Sequence, residues 1–234
     1  MALPPIAIDL YETQETPHMN STLIVDSLQT AQKSIIANEA SIESLDRAIG
    51  DGDHYLNVVR GCAVLSSMRD DLEKLAPSAA LQAMGMKLLS TIGGASGPLI
   101  SGFFIAMGKS LNDKPDVSAL DIAQAFAAGV ESIKSRGRAD VGEKTMLDVL
   151  IPVSKLWVEL AGKATPLQEV CNQINTEATR TMLATRDLIA TKGRASFLGE
   201  RALGHIDPGC KTCEVIIAAV TQTILSHRAR NQLS

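Results

Sequence analysis

Apolar residues recur every three or four positions along nearly the whole chain, and this spacing constrains the fold more than any other feature. One such stripe runs through Ile24, Leu28, Ala31 and Ile35. Strict alternation of apolar and polar residues, the pattern of a half-buried strand, does not occur. Aromatic residues make up only 3% of the sequence, whereas sheet proteins are usually richer in them. The sequence therefore predicts an all-α fold.

Turn and capping residues divide the stripes into separate helices. Pro77, Pro166 and Pro208 favour helix starts, and Ser118 with Asp121 resembles a capping box. The pattern predicts about eight helices joined by short connections, which favour antiparallel neighbours in a bundle or barrel. We expect a single helical domain over 19–230, preceded by a flexible arm over 1–18.

Composition and charge argue against several classes of function. The net charge is -4 and no basic stripe occurs, so nucleic-acid binding is not expected. No apolar run is long enough to span a membrane. The N-terminus lacks the pattern of a signal peptide, so a cytoplasmic protein with reduced thiols is expected. Cys210 and Cys213 form a C-x-x-C pair, for which packing thiols and a redox role both stay open.

Three carboxylates lie close together in the segment LDRAIGDGDHYLN. Asp46 is expected in the last turn of a helix, with Asp51 and Asp53 in the following loop. These charges repel each other and oppose the helix dipole, and a divalent cation would relieve both penalties. Mg²⁺ suits this set better than Ca²⁺, because the spacing fails the EF-hand pattern. The alternative is a solvated acidic turn.

Three further loops carry more glycine and polar residues than plain turns require. Gly93–Pro98 has small residues that let backbone N–H groups approach an anion, although a tight turn would also explain it. The segments 135–146 and 192–209 place arginines beside glycines, an arrangement that suits phosphate. A surface charge is the preferred interpretation for Arg136, Arg138 and Arg201. No P-loop motif occurs, so phosphate binding would need a different cradle.

Taken together, the four loops resemble the nucleotide-binding L subunit of dihydroxyacetone kinases, the Dak2-type domain. The segments that carry the resemblance are LDRAIGDGDHYLNVVRG, GGASGPL, SRGRADVGEKTMLDV and KGRASFLGERALGHIDPG. They keep the order and approximate spacing of that family over about residues 20–226. The resemblance implies an eight-helix antiparallel barrel with the nucleotide held in loops at one end.

The resemblance also implies a set of site residues, with no certain catalytic residue among them. Asp46, Asp51 and Asp53 would hold two Mg²⁺ ions that bridge the phosphates of ADP or ATP. The residues implied around the nucleotide are His54, Tyr55, Leu56, Asn57, Ala95, Ser96, Gly137, Met146, Arg194, Asp207, Pro208 and Gly209.

In the family, phosphoryl transfer needs a separate K subunit that holds the ketose. Either ATP is the consumed donor, or bound ADP is rephosphorylated by a protein of the phosphotransferase system. The second route is favoured here, and an ATP-consuming triose or tetrose kinase subunit is the alternative. A non-catalytic, nucleotide-dependent regulatory partner is a further alternative. The oligomeric state stays open, with a homodimer as one option.

Tyr55 departs from the family, which usually has glycine at this position. A bulky side chain there is expected either to narrow the phosphate site or to block a left-handed backbone conformation that glycine permits. We therefore expect Tyr55 to mark a sub-branch that acts with a different K subunit, on a tetrose rather than a triose.

Overall fold

The computed structural model describes residues 20–92, 96–112, 114 and 116–231. Over these residues the chain forms helices and loops, with no β-strand, so the all-α prediction is confirmed. The arm predicted over 1–18 and the loop residues 93–95, which include Ala95, lie outside the described residues. None of the helices described is long and apolar enough to cross a membrane.

Ten α-helices follow one another along the described chain. They are α1 (Ser21–Ala37), α2 (Glu39–Ile49), α3 (His54–Ser66), α4 (Arg69–Leu72), α5 (Pro77–Thr91), α6 (Ser96–Ser110), α7 (Ala119–Gly137), α8 (Leu147–Gly162), α9 (Leu167–Ala184) and α10 (Pro208–Asn231). Two 3-10 segments, Thr185–Asp187 and Arg194–Ala202, lie between α9 and α10.

Eight of these helices form a closed ring. In ring order α1, α3, α5, α6, α7, α8, α9 and α10 each pack against the next, and α10 packs against α1. The remaining two, α2 and the short α4, connect α1 to α3 and α3 to α5. The predicted number of about eight helices therefore matches the ring.

Local sequence signals account for several of the helix starts. Asn20 caps α1, because its side chain accepts a hydrogen bond from the Leu23 N–H at 2.7 Å. Pro77 is the first residue of α5, where its missing N–H costs nothing. Ser118 and Asp121 form the predicted capping box at the start of α7. These starts fix the register in which each apolar stripe faces inward.

The chain direction reverses between neighbouring helices of the ring, whether the connection is short, as from α8 to α9, or long, as over 185–207 before α10. As a result, the N-termini of α3, α6, α8 and α10 lie at one end, beside the C-terminal ends of α2, α5, α7 and α9. Each helix N-terminus carries partial positive charge. All four polar loops predicted from the sequence connect helices at this same end.

Candidate functional site

The carboxylate of Asp46 organises the turn between α2 and α3. Its side chain lies in the last turn of α2 and is only 3% exposed. One oxygen accepts a hydrogen bond from the backbone N–H of His54 at 3.0 Å. A Cβ at position 50 would lie 1.8 Å from the other oxygen, so Gly50 is required for this close approach. The predicted placement of Asp46 in a helix end is thereby confirmed.

His54 connects this turn to the start of α10. Its Nε2 lies 2.8 Å from the hydroxyl oxygen of Thr212. Burial lowers the pKa of His54, although the nearby carboxylates of Asp46, Asp53 and Asp51 oppose that shift. The imidazole is therefore neutral at physiological pH, and it acts as a hydrogen-bonding group rather than as a charge.

Arg194 reaches the same turn from the fourth loop. Its Nε lies 2.7 Å from the Oδ2 of Asp51, in an exposed ion pair. Asp53 occupies the position just before α3 and is also exposed. Two of the predicted metal ligands thus face solvent, beside the guanidinium that the sequence predicts near the nucleotide.

The carboxylates suit a hard cation by their chemistry. Carboxylate oxygens, which Asp46, Asp51 and Asp53 all supply, are donors that Mg²⁺ prefers. Within residues 20–92, 96–112, 114 and 116–231, no group of three His, Cys, Asp or Glu side chains is clustered tightly enough to hold a metal ion. Asp46 instead accepts the His54 N–H, and Asp51 pairs with Arg194. The assignment of Asp46, Asp51 and Asp53 to metal stays a prediction.

At positions 54–57, the side chain of Tyr55 and the backbone of the same turn face different parts of the protein. The Tyr55 ring packs in the core with Ile35, Ile42 and Val215. It does not project into the aspartate turn, so the expectation that it narrows the phosphate site is wrong. The helical period explains this, because Tyr55 lies on the inward face of α3 whereas the next residue, Leu56, lies on another face and is exposed.

The first turn of α3 still suits an anion through its backbone. The N–H groups of Tyr55 and Leu56 belong to this turn, where the helix provides no acceptor. Asn57 is half-buried one position further on. Phosphate contacts at 54–57 stay a prediction, and the Tyr55 and Leu56 N–H groups are their candidate donors, because the His54 N–H donates to Asp46 and the Asn57 N–H donates to the Asp53 carbonyl.

The second loop brings the start of α6 close to the end of α5. Ser96 is the first residue of α6 and is exposed. A Cβ on Gly97 would lie 2.3 Å from the carbonyl oxygen of Ile92, so only glycine fits. The helix start is therefore held close to the end of the preceding helix, and its first backbone N–H groups suit an anion.

Residues from the third and fourth loops meet at the starts of α8 and α10. Gly209 lies close to Met146, because a Cβ on Gly209 would be 3.6 Å from the Met146 Cβ. Gly137, at the end of α7, approaches the Leu99 side chain of α6. The predicted ribose and base residues thus lie at the same end of the ring as the aspartate turn.

Asp207 lies below the surface rather than in the open. Its carboxylate accepts a hydrogen bond from the Cys210 N–H at 2.7 Å, and its own N–H donates to the Thr185 hydroxyl at 3.1 Å. Burial raises the pKa of Asp207 to about 6. Asp207 therefore caps α10, Pro208 is also buried and Gly209 is half-buried, and contacts of these three residues with a nucleotide stay a prediction.

Sequence reasoning missed three polar residues under the site. Thr212 bonds His54, and Asp148 accepts from the N–H groups of Gly142 (2.5 Å) and Thr145 (2.7 Å). Lys144 is almost fully buried and bonds two backbone carbonyls. Asp148 lies two residues after the predicted loop 135–146, so the sequence could have suggested that it caps the start of α8. No sequence pattern indicates that Lys144 is buried.

The cysteine pair has a structural environment. Cys210 is buried, and its thiol donates to the Thr145 carbonyl at 2.9 Å. Burial raises the pKa of Cys210 well above its usual value and that of Cys213 to about 12. Both thiols are free, and such protonated groups favour the packing interpretation over the redox one.

The fold and the site define an all-helical protein in which one end of the ring carries an aspartate turn, four helix N-termini and an arginine. Residues 48–222 match the DAK2 domain, and the chain belongs to this family.

Named relatives agree with this membership. The chain is 37% identical to the PEP-dependent dihydroxyacetone kinase 1, ADP-binding subunit DhaL, of Listeria innocua, over 81% of this chain and 89% of the relative. It is 35% identical to the PTS-dependent dihydroxyacetone kinase, ADP-binding subunit DhaL, of Lactococcus lactis, over 86% of this chain and 96% of the relative.

A solved structure shows the same fold. The dihydroxyacetone kinase from C. freundii in complex with AMP-PNP and Mg²⁺ matches 95% of this chain with a TM-score of 0.67 and 22% identity. The chain spans 37% of the length of that kinase chain.

Proposed function

We propose that this chain is the nucleotide-binding subunit of a dihydroxyacetone-type kinase, which presents a Mg²⁺-bound nucleotide to a ketose on a separate K subunit. One observation carries the proposal: the turn with Asp46, Asp51 and Asp53 meets the start of α10 through His54 and the fourth loop through Arg194. Relatives named as ADP-binding subunits, similar over nearly their whole length, support the same function.

The chain's own groups would bind and orient the phosphates. Backbone N–H groups at the starts of α3 and α6 would donate hydrogen bonds to phosphate oxygens, and Arg194 would supply a positive charge. His54 would hold the turn against α10 as a neutral hydrogen-bonding group. Asp46, Asp51 and Asp53 would bind two Mg²⁺ ions, which neutralise charge during phosphoryl transfer.

Bound ADP rephosphorylated by a phosphotransferase-system protein is the donor route that we favour. The relatives named PEP-dependent and PTS-dependent share 35–37% identity with this chain over most of both lengths. The kinase solved with AMP-PNP is more distant, at 22% identity, and supports consumption of ATP as the alternative. A cytoplasmic location fits a partner that draws on the phosphotransferase system.

Dihydroxyacetone is the acceptor that the relatives' names support. The idea of a tetrose rested on a Tyr55 side chain in the phosphate site, and that side chain lies in the core instead. The homodimer stays an open prediction, whereas a K subunit follows from the need for a ketose site.

A reconstituted assay tests the proposal. Purified chain, its K subunit and dihydroxyacetone are supplied either with ATP or with phosphoenolpyruvate and phosphotransferase-system proteins. We expect product with the phosphoenolpyruvate system, dependent on ADP carried by this chain. Product with ATP alone would indicate the ATP-consuming route. Nucleotide binding without product in either mixture would contradict the kinase function and leave a regulatory one.

A further inference from the structure

Lys144 is the largest side chain that the fold buries almost completely. It is 1% exposed, and its Nζ donates to the carbonyl oxygens of Leu188 at 3.1 Å and Ala202 at 2.7 Å. Those two carbonyls belong to distant positions of one segment, 188–202. The ammonium therefore holds together two carbonyl groups that lie 14 residues apart in the sequence.

This bridge closes the neck of a loop. Just outside it, the N–H of Gly204 donates to the Arg186 carbonyl at 2.9 Å, so the chain leaves and returns at one place. Compact loops with joined ends of this kind are frequently functional. Here the loop carries Arg194, which contacts Asp51 of the aspartate turn.

The residue before Lys144 holds the same loop from outside. The Thr191 N–H donates to the Glu143 carbonyl at 3.2 Å, and the Thr191 hydroxyl donates to the Glu143 carboxylate at 3.0 Å. The third loop therefore binds the fourth loop at two places, through the buried side chain of Lys144 and through the exposed contacts of Glu143. This arrangement links the segment that precedes Met146 to the segment that presents Arg194.

A buried ammonium is costly, and its surroundings are built to hold it. Burial lowers the pKa of Lys144, while the carboxylates of Asp207, Asp187 and Asp148 oppose the shift. Its backbone also adopts a left-handed conformation, with φ of 59°. A non-glycine residue keeps such a conformation only where its environment fixes it. A neutral apolar side chain would fill the space but leave the carbonyls of Leu188 and Ala202 without this donor.

We propose that Lys144 is a positioning residue for the nucleotide site: it closes the neck of loop 188–202 and so holds Arg194 against the aspartate turn. It acts through Arg194 and does not contact the nucleotide. The consequence for nucleotide binding rests on the function proposed above, whereas the consequence for loop order does not.

Hydrogen exchange of the loop tests the structural half. Lys144→Met removes the ammonium, and we expect amides within 188–204 to exchange roughly tenfold faster than in the wild type. Lys163→Met, which removes an exposed lysine paired with Glu159, should leave the loop unchanged. Lys144→Arg keeps charge and donors and should restore most of the protection.

Nucleotide affinity in a double-mutant cycle tests the second half. Lys144→Met and Arg194→Gln should each weaken MgADP binding about tenfold, and the double variant should bind about as weakly as either single one. Effects that multiply would show that Lys144 does not act through Arg194 and would overturn the proposal. Unchanged loop exchange in Lys144→Met would overturn it as well.

A milder substitution, Lys144→Gln, tests the same role if Lys144→Met does not fold. Lys144→Gln keeps an amide that donates two hydrogens but reaches less far, so we expect a folded protein with intermediate loop exchange. Loop protection equal to the wild type in this variant would contradict the proposal. A wild type that binds no MgADP would contradict the proposed function, and the exchange data would still decide the role of Lys144.

Discussion

Tyr55 shows how a residue inside a site motif can serve the core instead. Its ring packs among Ile35, Ile42 and Val215, from α1, α2 and α10. Burial and the nearby Glu39 carboxylate raise its pKa, so the phenol stays neutral. The residue thus fastens the start of α3 to its neighbours while the backbone of the same turn faces the site.

Tyr55→Ala is therefore expected to act on stability and not on nucleotide binding. Loss of the buried ring should lower the free energy of unfolding by about 3–5 kcal/mol. The MgADP affinity of the folded fraction should stay within about twofold of the wild type, because the ring makes no site contact. Urea unfolding and calorimetric titration measure the two quantities, with Tyr55→Phe as control. Weakened binding without a loss of stability would contradict this.

Asp207 gives the protein a pH-dependent stability that can be isolated. Its pKa is raised to about 6 by burial, so the folded state binds the proton more tightly than the unfolded chain. The contribution of protonated Asp207 to the free energy of unfolding is fully present below about pH 4 and is lost as the pH rises through about 6. The loss amounts to at most about 3 kcal/mol.

Asp207→Asn keeps an acceptor for the Cys210 N–H and should remove this pH dependence. We expect the stability of the wild type relative to the variant to fall between pH 4 and 7. Urea unfolding across that range measures the difference, and Asp70→Asn, an exposed carboxylate, is the control. A constant difference across the range would show that Asp207 does not titrate there.

At the scale of elements, the start of α6 depends on a close backbone contact. A Cβ on Gly97 would lie 2.3 Å from the Ile92 carbonyl oxygen. Gly97→Ala must therefore move the start of α6 away from α5. We expect a loss of about 1–3 kcal/mol in stability together with weaker MgADP binding.

Gly162→Ala provides the matched control for this substitution. A Cβ on Gly162, at the far end of α8, would meet no atom within 4 Å. Its thermal midpoint and MgADP affinity should therefore remain close to those of the wild type. Equal behaviour of the two alanine variants would contradict the role assigned to the α5–α6 contact.

Helix starts could be predicted from the sequence because their determinants are local. Pro77 and the Ser118–Asp121 capping box can be recognised in the sequence by residue type and spacing. The bridge from Lys144 could not be predicted, because its partners are backbone carbonyls 44 and 58 residues away. A carbonyl carries no residue identity, so nothing at Leu188 or Ala202 marks it as an acceptor.

The site itself was predictable as a set of motifs but not as a set of side chains. Asp46 and Arg194 lie where the motifs suggested, at one end of the ring. Tyr55 faces the core, and Asp207 caps a helix. Motif spacing identifies a segment, whereas the face that each side chain takes depends on packing against helices distant in sequence.

At the scale of the whole molecule, the function proposed above requires the K subunit to approach the end of the ring that carries the aspartate turn. Phosphoryl transfer needs the ketose within reach of the phosphate. Phe197 is 82% exposed on the same loop as Arg194, although Ala195 and Ala202 on either side of it are buried. The loop therefore exposes an aromatic side chain three residues from Arg194, and on the proposed function we expect Phe197 to contact the K subunit.

Phe197→Ser should weaken this contact and spare the nucleotide site. We expect the concentration of K subunit needed for half-maximal turnover to rise about tenfold, as for loss of an aromatic anchor. The MgADP affinity should not change. Met86→Ser, an exposed apolar residue of α5, is the control. An unaltered requirement for K subunit would place the contact elsewhere.

Calorimetric titration with MgADP tests the central claim most directly. The wild type is compared with the Asp51→Asn, Asp53→Asn double variant and with an Asp70→Asn, Asp71→Asn control that loses the same charge from α4. We expect one MgADP per chain in the wild type and the control, and binding weaker by more than about tenfold in the site variant. Equal affinity in all three proteins, or no binding by the wild type, would contradict the assignment of the aspartate turn as a Mg²⁺-nucleotide site.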